Sequence, residues 1–446
     1  MNSVFVSADI YPFWSKEGKR IERLALALSQ KGKGEDVAVI LPLYFAVSSG
    51  VRRRMRKVEE WTVEYGWRRI GAELYRLRQD GVSYYFIGCD RYFDRAASRG
   101  HFDDGERFAF FAHAALEVIL GHLSEAELLV AAGWGASQVL TCLKWGQREW
   151  GISPACVLIP EEKTGQGCFS ASVVSELLHL RPEARQGVCD GIYSYETSGL
   201  LAADQILCFS EAQVSELCAR GDAALFRGKV RLLSPPCEPM SETAFSASRI
   251  PEEKKRSKES LCEENGWRDR EGLLVAVTGD LTESGAALLS RGLPDALAAG
   301  IRVVFCGMGA QEEVGRLLAA TGLFADRFSF LLTPDPRVCR RVLLAADALL
   351  LLSDGEVEKE REALSCGTLL LSPSGSERAQ EGVRYGYEER TLPLALFRLL
   401  EDYKRRGSLR QAVRRAVRMA KESFKDPAEA LLGGRDFVAK GENVYA

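Results

Sequence analysis

Three acidic residues follow a short apolar segment in the second half of the chain. The segment 348–352 reads Ala-Leu-Leu-Leu-Leu, and Asp354, Glu356 and Glu362 come soon after it. Such a run is typical of a strand buried on both faces of a parallel sheet, and ligands bind beyond the carboxyl ends of these strands. We therefore expect the carboxylates to take part in chemistry. The alternative is a solvated first helical turn, where acids interact favourably with the helix dipole.

The segment 354–368 resembles the nucleotide-sugar loop of the GT-B retaining glycosyltransferases. In that loop an acid, seven residues and a second acid precede a Cys-Gly-Thr-like turn. Asp354 and Glu362 have this spacing, and residues 366–368 are Cys-Gly-Thr. A second alignment, to bacterial glycogen and starch synthases, places Glu356 at the loop glutamate of the family, with a one-residue gap. The resemblance implies catalytic roles for these three acids.

The beginning of the chain has a βαβ pattern, with apolar segments at 3–10 and 36–44 around a helical pattern. The loop after the first segment contains Lys16, Gly18 and Lys19. It resembles the N-terminal signature of glycogen synthase, in which Pro-Phe is followed by Lys-x-Gly-Gly. The resemblance implies that Lys16 and Gly18 lie at the donor phosphates, where glycine allows backbone amides to approach. A plain βα loop with a basic rim is the alternative.

A strand predicted at 156–160 leads into a segment that matches the glycogen synthase pattern Gln-Gly-x-Phe at Gln166, Gly167 and Phe169. In this register Glu161 stands at the active-site histidine of the family, which contacts the transferring sugar. The turn 132–135, Ala-Gly-Trp-Gly, similarly keeps only Trp134 of the family's His-Asp-Trp-His. The resemblance thus places Glu161 at a catalytic position with a changed side chain.

The turn 279–285 follows the first strand predicted for a second domain. Glycosyltransferases of this fold carry Arg-Leu-x-x-x-Lys-Gly here, one residue longer, and the two cations bind the donor diphosphate and stabilise the leaving nucleotide. In this chain those positions are Asp280 and Ser284. Gly307 and Gly309 resemble the family's Gly-x-Gly turn, where the backbone approaches the nucleotide. A Gly-x-Gly turn after a strand is weak evidence by itself.

The resemblance extends along the whole chain and implies an α/β protein of GT-B architecture, with two Rossmann-like doubly wound domains facing a central cleft. A chain of 446 residues is also too long to fold around a single hydrophobic core. We expect an acceptor-side domain at 1–235, a linker at 236–265 and a nucleotide-sugar domain at 266–410. A C-terminal helix and tail, 411–446, are expected to cross back to the first domain. Further strands are predicted at 69–77, 82–88, 127–132, 302–306 and 328–332.

The overall composition excludes several classes of protein. A net charge of -3 gives no reason to expect nucleic acid or an anionic membrane as a partner. No apolar run approaches the roughly 20 residues that cross a bilayer, and the N-terminus lacks a basic region like that of a signal peptide. The 12 cysteines include no Cys-x-x-Cys, and the four histidines are dispersed. We therefore expect a cytoplasmic protein without a metal site or other cofactor.

The family reaction implied by the resemblance is transfer of glucose from ADP-glucose to the non-reducing end of an α-1,4-glucan, with retention. The partners would then be a nucleotide-sugar and an α-glucan. The substitutions at Glu161, Asp280 and Ser284 affect chemistry and spare packing, so we expect ordinary synthase activity to be weak or lost. Two alternatives remain open. One is a pseudoenzyme that acts as a glucan-binding or regulatory module, and the other is a glycosyltransferase with a changed donor.

Overall fold

In the computed structural model the chain forms two compact units, and the described residues up to 233 belong to the first and those from 250 to 418 to the second. Several predicted features lie outside the described residues, namely Asp354, residues 236–249 of the linker, residues 419–446 of the tail and the side chain of Lys16. The structure describes residues 2–10, 16–31, 36–95, 97–161, 166–233, 250–268, 271–333, 335–353, 356–373, 384–388, 390–405 and 411–418.

The first unit begins with a strand, a helix and a strand, as its apolar pattern predicts, and continues as an alternation of both. Its elements are β1 (Ser3–Ser7), α1 (Lys16–Lys31), β2 (Val37–Pro42), α2 (Ser49–Arg52), β3 (Arg56–Tyr65), β4 (Arg68–Gln79), β5 (Val82–Gly88), α3 (Asp90–Phe93), α4 (Asp104–His122), β6 (Leu128–Ala132), α5 (Trp134–Trp145), β7 (Ala155–Ile159), β8 (Cys168–Ser170), α6 (Val173–Glu176), β9 (Val188–Cys189), β10 (Ile192–Ser194), α7 (Tyr195–Ala202), β11 (Gln205–Cys208), α8 (Glu211–Ala219) and β12 (Val230–Leu232).

The main sheet of the first unit has the strand order β12-β11-β7-β6-β1-β2-β5-β4-β3. β1 pairs in parallel with β2 on one side and with β6 on the other. β4 is antiparallel to both β3 and β5, so a hairpin extends one edge. The central strands β1, β2 and β6 are entirely buried, which requires the continuous apolar runs seen in the sequence. The strand order reverses between β1 and β6, and ligands bind doubly wound sheets at such a point.

His113 is a buried histidine on α4, a helix whose side chains are mostly inside the unit. Among the residues that the structure describes, its Nε2 has no hydrogen-bond partner. Burial, assisted by repulsion from His179 and Arg148, lowers the pKa of His113 to about 4. The imidazole is therefore neutral in the folded protein across the ordinary pH range.

The depressed pKa of His113 predicts a loss of stability in acid. As the pH falls below about 6.5, His113 of the unfolded chain binds a proton, whereas His113 of the folded chain binds one only near pH 4. The free energy of unfolding therefore decreases as the pH falls through this window, by up to about 3 kcal/mol. His113→Phe should flatten the pH dependence measured by urea denaturation between these values. His122→Gln, a change at an exposed histidine, serves as the control. An unchanged slope in His113→Phe would contradict the prediction.

The second unit repeats βα units in the order that the sequence predicts. Its elements are α9 (Ile250–Glu264), β13 (Leu274–Leu281), α10 (Glu283–Ala298), β14 (Arg302–Gly309), α11 (Gln311–Thr321), β15 (Phe328–Leu332), α12 (Pro336–Ala345), β16 (Ala348–Leu350), α13 (Val357–Ser365), β17 (Leu369–Pro373), β18 (Arg384–Tyr387) and α14 (Leu392–Lys404), and residues 411–418 are also helical.

The sheet of the second unit is parallel throughout, in the order β15-β14-β13-β16-β17-β18. Numbered within the unit, this is 3-2-1-4-5-6, the order of a dinucleotide-binding Rossmann sheet. Its switch point lies between β13 and β16. In the described part of the chain, no helix is long and apolar enough to cross a membrane.

Helix α9 lies within the segment that the sequence analysis assigns to the linker, and two of its lysines hold it on the second unit. Lys254 is buried, and its Nζ donates to the carbonyl oxygens of Ala346 at 2.5 Å and Cys366 at 3.2 Å. Lys258, one helical turn later, donates to Oδ2 of Asp347 at 2.6 Å. The spacing of four residues places both lysines on one face of α9.

Candidate functional site

Three charged side chains contact one another at the switch point of the first sheet. Arg99 lies between Asp9, just after β1, and Glu161, just after β7. Its Nη1 donates to Oε1 of Glu161 at 2.5 Å, and its Nη2 donates to Oδ2 of Asp9. Asp9 and Glu161 are buried, while 21% of the Arg99 side chain remains exposed. Two carboxylates therefore share one guanidinium, and we call these three residues the Arg99 cluster.

Trp134, the first residue of α5, completes the surroundings of the Arg99 cluster. Its backbone N–H donates to Oε1 of Glu161 at 3.3 Å, and its ring centroid lies 5.1 Å from Cζ of Arg99. A Cβ on Gly167 would lie 2.7 Å from the indole Cδ2, so the backbone at 167 must be glycine to pack there. The matched residues Trp134 and Gly167 thus position the carboxylate at Glu161.

Gly133 makes room for the carboxylate of Glu161. It has a φ of 72°, which glycine adopts readily, and a Cβ at this position would lie 2.7 Å from Oε1 of Glu161. In the resembled family, position 133 is the aspartate of His-Asp-Trp-His and position 161 is a histidine. In this chain position 133 carries no acid, and the acidic side chain lies at position 161, just after β7.

The loop before α4 carries Arg99 and is fixed by two aspartates. Arg95 and Asp103 form a bidentate pair, with an Nη2–Oδ2 distance of 2.6 Å. Asp104 accepts hydrogen bonds through Oδ2 from the backbone N–H groups of Gly100 at 2.8 Å and His101 at 3.2 Å. These contacts immediately follow Arg99 in the chain, so they limit where its guanidinium can reach.

Gln213 on α8 fixes the other side of the Arg99 cluster. Its Nε2 donates to the carbonyl oxygens of Pro160 at 3.0 Å and Glu161 at 3.3 Å, and its Oε1 accepts from the backbone N–H of Phe209 at 3.1 Å. A buried amide therefore holds the backbone that presents Glu161. Gln213 is a polar residue on the buried side of its helix, and that is the signal by which the sequence could have indicated it.

Gly18, predicted to lie at donor phosphates, packs against the end of β1. A Cβ on Gly18 would overlap the carbonyl oxygen of Asp9, so helix α1 can approach this strand only with glycine here. This contact explains the residue type by packing. The phosphate-binding role of Gly18 and Lys16 stays a prediction.

The second candidate site lies at the switch point of the second sheet. Gly279, near the end of β13, has a φ of 106°. A Cβ on Gly307 of β14 would overlap the carbonyl oxygen of Gly279, so the two backbones are in direct contact. A Cβ on Gly309 would lie 3.0 Å from Cβ of Leu281. Both glycines of the Gly-x-Gly turn therefore allow close packing of β14 on β13.

Asp280 and Ser284 flank the N-terminus of α10 on the same edge. Both side chains are exposed. Thr282 is the N-cap residue, and its Oγ1 accepts from the backbone N–H of Gly285 at 3.2 Å and lies 3.1 Å from Oγ of Ser284. A cationic side chain is absent at both positions where the family has one, which leaves an exposed carboxylate near the helix N-terminus.

Lys359 on α13 brings a cation to this edge that the sequence analysis did not identify. The Nζ and Cε atoms of Lys359 lie beside the α-carbon of Gly279. A Cβ built on Gly279 would come within 2.9 Å of Cε. The same Nζ donates to Oε1 of Glu356 at 2.6 Å. About one third of the Lys359 side chain is exposed. One of the predicted catalytic acids, Glu356, is thus paired with a lysine that contacts Gly279.

Glu362 lies farther along α13 and is buried. Asp280, Ser284, Gly307, Gly309 and Glu356 share one edge of the second sheet, whereas Glu161 and Gly18 belong to the first unit. Among the residues that the structure describes, no group of three or more His, Cys, Asp or Glu side chains could hold a metal ion.

The contact between Gly307 and Gly279 predicts that one methyl group added at position 307 destabilises the protein. Gly307→Ala must displace the backbone of β13 or β14, so we expect a loss of about 1–3 kcal/mol in the free energy of unfolding. Gly315→Ala is the matched control, because a Cβ there meets nothing within 4 Å on α11. That change should stabilise by about 0.5–1 kcal/mol. Equal effects of the two substitutions in urea denaturation would contradict the packing described above.

Comparison with known proteins decides the family. Residues 3–225, half of the chain, match the starch synthase catalytic domain family. This chain belongs to that family. It is 32% identical over 224 residues to a glycogen synthase of Bacillus licheniformis, a match that covers 49% of this chain and 46% of the relative. The chain therefore spans about half the length of this relative. A glycogen synthase of Clostridium novyi is 27% identical over 382 residues, 79% of this chain and 78% of the relative.

The solved structures similar to this chain include other GT-B glycosyltransferases. The catalytic domain of starch synthase IV from Arabidopsis thaliana, bound to ADP and acarbose, has a TM-score of 0.73 at 16% identity and covers 98% of both chains. A HepE protein of Anabaena in complex with UDP has a TM-score of 0.54 at 13% identity, covering 99% of this chain and all of the other. The expected GT-B fold of two Rossmann-like units is confirmed for this starch synthase family member.

Proposed function

We propose that this member of the starch synthase family transfers glucose from ADP-glucose to α-1,4-glucan weakly or not at all. The observation that supports the proposal is the ion pair between Arg99 and Glu161. The family has a histidine at position 161 that contacts the transferring sugar, and a neutral imidazole can donate a hydrogen bond to a hydroxyl. An ionised carboxylate only accepts, and this one already accepts from Arg99 and from the backbone of Trp134.

The second unit supports the same proposal through its charges. A departing nucleoside diphosphate gains negative charge, and preorganised cations stabilise it by several kcal/mol in a desolvated site. Asp280 and Ser284 supply no cation, and Lys359 is already paired with Glu356. If transfer is lost entirely, the chain would act as a catalytically inactive, cytoplasmic module that binds glucan or regulates other proteins. Glu161, Asp354, Glu356 and Glu362 would then be remnants of a catalytic site.

A second candidate function is a working glycosyltransferase with a changed donor. The contact of Lys359 with Gly279 favours it, because this places an ammonium beside the turn where the family binds the donor diphosphate. A phosphate oxygen could replace Glu356 as the acceptor of Lys359. In that case Gly307 and Gly309 would line the donor, and Asp354 and Glu362 would remain essential.

A transfer assay distinguishes these functions. Labelled ADP-glucose or UDP-glucose is incubated with the full chain and a maltooligosaccharide, beside a bacterial glycogen synthase as the positive control. We expect incorporation far below that of the positive control, or none, from either donor. Elongation from ADP-glucose at a rate like that of the positive control, lost in both Asp354→Asn and Glu362→Gln, would overturn the proposal. Incorporation from UDP-glucose alone would support the changed donor.

Calorimetric titration then tests what the protein binds. Binding of a maltooligosaccharide without ADP or ADP-glucose would support the glucan-binding module. Binding of ADP that is lost in Lys359→Met and kept in Lys404→Met, a change at an exposed lysine on α14, would support the second candidate function. If none of these ligands binds, both the glucan-binding module and the glycosyltransferase with a changed donor are contradicted.

A further inference from the structure

Two thiols of the second unit lie within reach of each other. Cys306 is on β14 and fully buried, and Cys339 is on α12 and partly exposed. Their sulfur atoms are 3.2 Å apart, and Sγ of Cys339 also lies 3.9 Å from the carbonyl oxygen of Cys306. A disulfide bond has a length of about 2.05 Å, so the two sulfurs need to approach by only about 1 Å. Neither cysteine forms a disulfide in the structure.

The surroundings assign different roles to the two thiols. Cys339 lies in the N-terminal half of α12, between Arg337 and Arg340 in the chain. Partial exposure lets an external reagent reach the thiol of Cys339. Cys306 is closed to solvent, so it can react only with a partner that is already beside it.

We propose that Cys306 and Cys339 form a reversible intramolecular disulfide, with a low-molecular-weight disulfide such as oxidised glutathione as the oxidant. The thiolate of Cys339 attacks one sulfur of the oxidant, forms a mixed disulfide and releases one glutathione thiolate. Cys306 then gives up its proton and attacks the Cys339 sulfur, which releases the second glutathione thiolate. The protein loses two hydrogen atoms, and the oxidised glutathione becomes two molecules of the thiol.

The new bond would act on the turn 279–285, which begins at Gly279. Cys306 directly precedes Gly307, whose α-carbon packs on the carbonyl of Gly279. Closing the gap between the sulfurs pulls α12 and β14 together next to this contact. The proposal does not depend on glucosyl transfer, since the same geometry exists in an inactive protein.

Peptide mapping of the full chain tests the proposal. After treatment with oxidised glutathione, trypsin cleavage at the flanking arginines gives peptides 303–316 and 338–340. We expect them as one disulfide-linked pair, with a loss of two hydrogens that dithiothreitol reverses. Cys306→Ser should instead accumulate glutathione on Cys339. Cys218→Ser, a change at an exposed cysteine, should form the link as the unmodified chain does.

Two outcomes would overturn the proposal. One is a stable mixed disulfide on Cys339 of the unmodified chain with no link to Cys306. The other is that both thiols remain reduced under conditions in which Cys218 is glutathionylated. Neither outcome bears on the transfer assay, so this proposal and the proposed function fail separately.

Discussion

Replacing Arg99 by methionine is expected to lower the free energy of unfolding by about 3–5 kcal/mol. The guanidinium is the shared partner of Asp9 and Glu161, whose side chains are only 5% and 9% exposed. Without it, two buried carboxylates that lie close together lose the cation that they share. Removing one partner of a buried ion pair is costly for this reason, even where the intact pair itself adds little stability. Urea denaturation of the full chain, followed by tryptophan fluorescence, measures the effect.

Two further variants separate the loss of charge from the loss of a side chain. Arg69→Met is the matched control, because Arg69 pairs with Glu64 at 3.1 Å but both side chains are largely exposed. That substitution should cost at most about 1 kcal/mol. Adding Glu161→Gln to Arg99→Met removes one buried charge and should recover part of the loss. If Arg99→Met costs no more than Arg69→Met, the Arg99 cluster is not the buried ion network described here.

Replacing Lys258 by methionine is expected to cost a similar 3–5 kcal/mol. Its Nζ lies 2.6 Å from Oδ2 of Asp347 and 3.0 Å from the hydroxyl of Tyr403, and only 8% of the lysine side chain is exposed. Asp347 also accepts from the backbone N–H of Leu274. The substitution leaves this carboxylate buried with one neutral donor. Denaturation followed through Trp267, a buried tryptophan of the same unit, reports the effect.

Lys255 offers a control on the same helix. It is 75% exposed and lies 4.0 Å from Glu259, so Lys255→Met should change stability by less than about 1 kcal/mol. Burial disfavours the ammonium of Lys258, but attraction to Asp347 outweighs it and raises the pKa. The stabilisation by Lys258 is therefore complete below its ordinary pKa of about 10.5 and is lost as the pH rises through the higher folded value. A gap between the two variants that widens at alkaline pH would be inconsistent with this linkage.

The parallel strands could be predicted because burial on both faces leaves an unbroken apolar run. The prediction of a strand at 328–332 is confirmed by β15, and the segment 156–160 differs from β7 by one residue at each end. β3 and β18 were not predicted. The side chains of β3 are mostly exposed at the edge of a hairpin, so little apolar pattern marks it. β18 is only four residues long, which is too short for its sequence pattern to distinguish a strand from a loop.

The candidate site could be predicted only in part, because its charges come from distant segments. Motif spacing led to Glu161, Asp280 and Glu356, each within a recognisable turn. Arg99 is 62 positions from Glu161. It contacts Glu161 only because the loop before α4 lies at the edge of the sheet where β1 and β7 both end. Lys359 reaches Gly279 for the same reason, since β13 and β16 are neighbours in space and not in sequence. No local pattern contains these pairs.

The room that Gly133 leaves for Glu161 couples two positions that lie 28 residues apart in the chain. A side chain at position 133 would place its Cβ 2.7 Å from Oε1 of Glu161 and 3.2 Å from Nη2 of Arg99. With the family's aspartate at this position, the ends of both side chains would have to shift. We therefore expect aspartate at position 133 to destabilise the present chain more than a chain in which Glu161 has already been replaced.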